Sequence, residues 1–234
     1  MKREVCENCC WAQSGCCEIE TPDFVRTDTV CMKKVKLNYL FDQALIEEPL
    51  RKTRVLFTDA DKTDAEVFSQ LKEISNNIVE FVKTGGNLYI HSKITGNGKT
   101  SWALRMVQNY FDAIWPKAKL TCKALFVSVP KFLSALKDSF DNKNEYAQHI
   151  KDNIANADLV IWDDIGTKVA TPFEVEMLFS IIDSRLNSEK ANIFTSNLSS
   201  EELEKALGAR LFSRIFHFSV DIELKGTDKR GIKK

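Results

Sequence analysis

Two glycines, Gly96 and Gly98, interrupt the chain between the apolar run LYIH (88–91) and a helical pattern that opens on Lys99 and Thr100. A strand followed by Gly-x-Gly-Lys-Thr and then a helix is the layout of a phosphate-binding loop. Glycines let successive backbone N–H groups converge on phosphate oxygens, and the helix N-terminus adds a partial positive charge. The cradle runs through Lys93, Ile94, Thr95, Gly96, Asn97, Gly98, Lys99, Thr100 and Ser101. Lys99 is expected to reach the β- and γ-phosphates of ATP or ADP, and the Thr100 hydroxyl to ligate magnesium. One position departs from the full motif: Lys93 stands where the first glycine belongs.

A second motif fits the first. ADLVIWDDIG places Asp163 and Asp164 at the end of a buried strand, the edge at which a parallel sheet presents its ligands. Asp163 is expected to hold magnesium through water, and Asp164 to orient and deprotonate the attacking water. NIFTSN ends another strand at Asn197, placed to sense the γ-phosphate or position water, or to cap a turn. GARLFSRIFHF sets Arg210 and Arg214 four residues apart on one face of a short helix.

The fold follows from how apolar runs alternate with helical patterns. After Asn87 the runs LYIH, ALFVSV, DLVIWD, NIFTS and FHFSVDIE are separated by helical stretches such as SWALRMVQNYFDAIW and PFEVEMLFSIIDSRL. Near-continuous apolar strands between helices predict an α/β fold with a parallel sheet covered on both faces. Ahead of it, LNYLFDQALIEE is broken by Pro49. A helix from about Thr63 carries Val67, Leu71, Ile74, Ile78, Phe81 and Val82 and stops at Gly85 and Gly86. The expected organisation is a cysteine-rich module over 1–36, a helical linker region over 37–84 and an ATPase domain over 85–234.

Six of the seven cysteines fall within the first 31 residues. The N-terminus has no apolar core of a signal peptide and no run reaches membrane-spanning length, so a cytoplasmic location is expected, where clustered cysteines bind metal rather than pair. Cys6 and Cys9 have the spacing of a zinc knuckle, and Cys17 with Cys31 is the expected second pair. The doublets Cys9/Cys10 and Cys16/Cys17 leave the choice within each pair open. Acidic and basic residues balance at 33 each, so contact with nucleic acid needs a local patch. VPKFLSALK offers Lys131, Phe132 and Lys137 as such a patch, against the plainer reading of an amphipathic helix with Phe132 and Leu133 in the core.

Taken in order, the phosphate loop, DDIG, TSN and R-L-x-S-R resemble the AAA+ ATPases of the DnaC type, the replicative helicase loaders, over about residues 87 to 222. The wording TGNGKTSW with ADLVIWDDIG looks most like versions carried by phages and mobile elements of Gram-positive bacteria. The resemblance implies a P-loop three-layer α/β/α domain with strand order 5-1-4-3-2. It also implies nucleotide at the loop, magnesium and hydrolysis at Asp163 and Asp164, sensing by Asn197, and an arginine finger from Arg214, with Arg210 second. Asp164 stands where many relatives have Glu, consistent with slow turnover. The segment after the last strand is too short for the usual helical lid, which in this group suggests ATP acting as an assembly switch. Implied partners are the hexameric replicative helicase, gripped by the N-terminal module, single-stranded DNA, and further copies of the chain assembled with ATP. A transposition helper ATPase and a nucleotide-gated inhibitor of a helicase are the alternative readings.

The cysteine pattern carries its own test. Protein purified under reducing conditions should contain about one zinc per chain by elemental analysis, and Cys6 and Cys9 should be the least replaceable of the six. Zinc-free protein that is still fully folded and functional would refute the assignment.

Overall fold

A computed structural model describes residues 32–56, 64–138, 144–167 and 170–229. Cys6, Cys9, Cys17 and Cys31 lie outside the described residues.

Among the described residues four helices precede the sheet: α1 (Met32–Gln43), α2 (Glu48–Arg51), α3 (Ala65–Asn76) and α4 (Ile78–Lys83). They are followed by β1 (Asn87–His91), α5 (Lys99–Ile114), β2 (Ala124–Ser128), α6 (Val129–Asp138) and α7 (Glu145–Asn153). The chain then forms β3 (Leu159–Asp163), α8 (Pro172–Asn187), β4 (Ala191–Ser196), α9 (Ser200–His217) and β5 (Val220–Glu223). All strand pairs are parallel and the order is β2-β3-β4-β1-β5, which is 5-1-4-3-2 read from the other edge. The fold is the expected α/β P-loop AAA+ sheet with helices on both faces.

Strand residues alternate between two cores because successive side chains leave a strand on opposite faces. Leu88, Ile90, Phe126, Leu159, Ile161 and Ile193 pack on one face with α1, α3, α4 and α5. Tyr89, Leu125, Val127, Val160, Trp162 and Phe194 pack on the other with α6 to α9. Phe132 and Leu133 are buried in this second core, as the plainer reading of VPKFLSALK required. The region expected as a helical linker contributes Leu40, Phe41, Ala44, Phe68, Leu71, Ile78 and Val82 to the first core, so it packs as part of the sheet's cover.

Local boundaries differ from the sequence reading in two places. The helix expected to run unbroken to Val82 is split at Asn77 (φ −99°, ψ 23°). FHF, expected to open the last strand, instead closes α9, and β5 starts only at Val220. Inside α9, Gly208 adopts φ 77°, ψ 153° and kinks the helix, so the two arginines ride on its second half.

The N-terminal edge of the sheet is held by Arg185 of α8, which is 2% exposed. Its guanidinium donates to Asn192 Oδ1 (2.8 Å), to the carbonyls of Ile154 (2.6 Å) and Ala157 (3.0 Å), and to that of Ala191 (2.7 Å). Asn192 Oδ1 also accepts from Trp162 Nε1 (3.1 Å), and its amide donates to Asn87 Oδ1 (2.8 Å). Burial lowers the Arg185 pKa to about 10, which still leaves the guanidinium charged at neutral pH. Arg185→Met should therefore destabilise the protein by ~3 kcal/mol or more, because several buried acceptors lose their donor together. Urea unfolding of the variant measures this, and an unchanged midpoint would refute the role.

Candidate nucleotide site

The loop between β1 and α5 closes around its own lysine. Gly96 (φ 74°) and Gly98 (φ 111°) take left-handed conformations that side chains disfavour, and Gly98 immediately precedes the first turn of α5. Lys99 is buried, and its ammonium donates to Ile94 O (2.9 Å) and Asn97 Oδ1 (3.2 Å), with Ser92 O at 3.5 Å. Asn97 in turn donates to Ser92 Oγ (2.7 Å) and Leu224 O (3.1 Å), fastening the loop to the segment after β5. Lys93, in the place of the first glycine, points outward and pairs with Glu202 of α9 (3.5 Å). The loop therefore accepts a lysine there without burying it.

Three elements meet at Asp163. Thr100 Oγ1 at the start of α5 and Thr195 Oγ1 on β4 both donate to the same oxygen, Asp163 Oδ1, each at 2.8 Å. Burial, followed by the neighbouring charge of Asp164, raises the Asp163 pKa to about 6; the two hydroxyls and Lys99 oppose the rise. A hydroxyl and a partly protonated carboxylate side by side, next to the glycine-bearing loop, form an oxygen donor set suited to magnesium beside phosphate. Asp164 follows in a left-handed conformation (φ 58°). Its N–H donates to Thr195 Oγ1 (3.0 Å), and Asn197 Nδ2 donates to its carboxylate (3.0 Å). Gly166 completes the turn at φ 83°, where any Cβ would come within 2.5 Å of Leu203.

These groups surround a cavity of about 320 Å³ lined by Thr95, Gly96, Gly98, Lys99, Thr100, Ser101, Asp164 and Asn197. The cavity lies over the C-terminal ends of β1, β3 and β4, the position at which a doubly wound sheet binds ligand. Ile94 and Asn97 shape the loop without lining the cavity, and Asp163 adjoins it through its hydrogen bond from Thr100, which does line it. Arg210 and Arg214 do not join it. Arg214 Nε pairs with Asp183 (2.7 Å) and Arg210 with Glu176 (3.6 Å), both on α8, and the Arg210 guanidinium lies 3.8 Å from the Phe179 ring centre. Thr195 escaped the sequence reading although TSN was recognised. The signal was available in hindsight: a hydroxyl inside an apolar strand next to the DD edge needs a polar partner.

Because Asp163 is ionised at neutral pH against its burial cost, replacing it should stabilise the ligand-free chain. Asp163→Asn should raise stability at pH 8 by up to ~3 kcal/mol while abolishing magnesium-dependent stabilisation. With a folded pKa of about 6 against 3.8 in the unfolded chain, the gain should shrink by about half at pH 5, where the buried carboxyl is mostly protonated. Thermal unfolding at the two pH values, with and without magnesium, checks both claims. A gain independent of pH would refute them.

Known proteins share this fold and parts of this sequence. The chain is 27% identical over 146 residues to the replicative helicase loader DnaC of Escherichia coli (strain K12), covering 62% of this chain and 53% of that protein. It is 24% identical over 189 residues to the replicative helicase loader DnaI of Bacillus subtilis (strain 168), covering 74% of this chain and 58% of that protein. The chain thus spans little more than half the length of these relatives. A crystal structure of the DnaC helicase loader superposes with a TM-score of 0.60 at 19% identity, over 76% of this chain and all of that one, and establishes the shared fold. Among the described residues no helix is long and apolar enough to cross a membrane. The model of the IstB-like ATP binding proteins matches residues 42–234, and the chain belongs to that family.

Proposed function

We propose that this chain is an ATPase that loads a hexameric replicative helicase onto single-stranded DNA at the start of DNA replication. The similarity to DnaC and DnaI, both replicative helicase loaders, carries the reading, and the convergence of Thr100, Asp164 and Asn197 on one cavity, with Asp163 bonded to Thr100 beside it, supports it. Lys99 would exchange its loop carbonyls for the β- and γ-phosphate oxygens. Thr100 and Asp163 would hold magnesium, which supplies the charge that neutralises the phosphates. Asp164 would take the proton of the attacking water, oriented through Asn197. Its shorter side chain, compared with a glutamate, suits a slow hydrolysis that resets an assembly rather than drives one.

Arg214, with Arg210 beside it, would act on the nucleotide of a neighbouring copy after releasing its α8 carboxylate. ATP would thereby favour self-assembly around single-stranded DNA. The cysteine module, with zinc on Cys6, Cys9, Cys17 and Cys31, would grip the helicase, and the protein would work in the cytoplasm.

The test is co-purification with a replicative helicase, with and without ATP. Wild type should retain the helicase when ATP is present, Lys99→Ala should not, and Asp164→Asn should hold it longest because its nucleotide persists. Retention on double-stranded DNA with a transposase, and none on helicase, would instead favour a transposition helper. Stable helicase capture with no DNA loading would favour an inhibitor. Arg214→Ala should bind ATP normally yet turn over ~10³-fold more slowly, and mixing it with Asp164→Asn should restore part of the rate. No recovery in the mixture under assembling conditions would refute the shared site.

A further inference from the structure

The segment after β5 runs back along the phosphate loop. Leu224 N–H donates to His91 O (2.9 Å), and Leu224 O accepts from Asn97. The Asp64 carboxylate, 1% exposed, caps the next turn by accepting from Lys225 N–H (2.9 Å) and Gly226 N–H (2.7 Å). Lys229 N–H then donates to Gly96 O (3.0 Å), inside the loop itself. The strap thus touches the loop at two of its residues and is pinned at its start by a buried carboxylate.

This arrangement brings a second ammonium group to the loop. Lys229 is 8% exposed; its Nζ donates to Leu56 O (2.9 Å) and lies 4.8 Å from the centre of the Phe68 ring. It also stands 3.9 Å from the point a Cβ on Gly98 would occupy. Among the described residues, leaving aside the flanking residues of the chain, no other atom comes within 4 Å of that point. Gly98 lines the cavity. With no side chain on Gly98, the Lys229 ammonium lies beside a residue that lines the cavity.

We propose that Lys229 is a second cation of the nucleotide site, swinging past Gly98 to contact a phosphate oxygen of the bound nucleoside di- or triphosphate. The inference rests on the nucleotide site proposed above. Lys99 approaches from the helix side of the loop and Lys229 from the strap side, so the phosphate chain is clasped between them. The side chain is already buried, with its ammonium ordered by the Leu56 carbonyl and the Phe68 ring, so little rotamer freedom is lost on binding. Because the same strap is tied to Asp64 and Leu56, a filled site would also tighten the segment that leads into β1 from the N-terminal side.

Calorimetric titration of the full chain with magnesium–ADP separates the possibilities. Lys229→Met, which keeps an unbranched apolar side chain of similar length, should weaken binding about tenfold, the usual loss for one charge-assisted hydrogen bond. Lys229→Arg should retain most of the affinity, and Lys99→Ala should lose it. Loss in Lys99→Ala with wild-type affinity in Lys229→Met would overturn the second cation and leave the site standing. Equal losses in Lys229→Met and Lys229→Arg would also overturn it, because the strap's fit and not its charge would then matter. Wild type that fails to bind would overturn both readings. Acetylation of the wild-type chain, followed by mass spectrometry, covers the case of a variant that does not fold. Magnesium–ADP should slow modification of Lys229 several-fold and leave the exposed Lys72 unchanged, and no protection of Lys229 would refute the contact.

Discussion

One carboxylate oxygen organises the working edge of this protein. Asp163 Oδ1 accepts the hydroxyls of Thr100 and Thr195, so the start of α5, the end of β3 and the end of β4 are joined at a single atom. The same Thr195 hydroxyl receives the N–H of Asp164 and thereby fixes the backbone turn that aims the second carboxylate. Burial makes the ionised form of Asp163 costly, and a cation placed beside it would relieve that cost. The site is thus built around a charge that its own surroundings leave poorly compensated. The opposite edge of the sheet is the reverse case, since the Arg185 guanidinium there finds an acceptor in almost every direction. One end of the sheet is saturated with hydrogen bonds and the other is poised to gain a ligand.

Much of this was legible from the order of residue types. Apolar runs spaced by helical patterns specify a covered parallel sheet, and a strand–Gly-x-Gly-Lys-Thr–helix passage admits few uses other than cradling phosphate. The carboxylate pair and Asn197 could be placed because a parallel sheet gathers its strand ends at one edge. What escaped depended on contacts distant in sequence. Thr195 looks like an ordinary strand residue until β4 is set beside β3. Lys229 reads as a tail charge, and only the return of the strap to Gly96 gives it a place. The split at Asn77 and the helical end of FHF are local boundaries at which packing overrode the apolar pattern.

The two arginines show what a single chain leaves undecided about an assembly. In isolation Arg214 is satisfied by Asp183 and Arg210 by Glu176 and the Phe179 ring, so neither is held in reserve for a neighbour. The Arg210–Glu176 pair is exposed and contributes little to stability, whereas the Arg214–Asp183 pair is half-buried, with the Asp183 side chain 22% accessible. Releasing Arg210 from its partner would therefore cost little, and releasing Arg214 would leave the half-buried Asp183 carboxylate without its cation.

The charges touching the loop carry a last consequence. Lys93, Lys99 and Lys229 stand against Asp163, Asp164 and Glu202, three ammonium groups against three carboxylates. A bare polyphosphate entering this mouth meets all three carboxylates, and a bare divalent ion meets all three ammonium groups. A divalent cation would lower the charge of an incoming polyphosphate, so the two together would disturb this local balance less than either component alone.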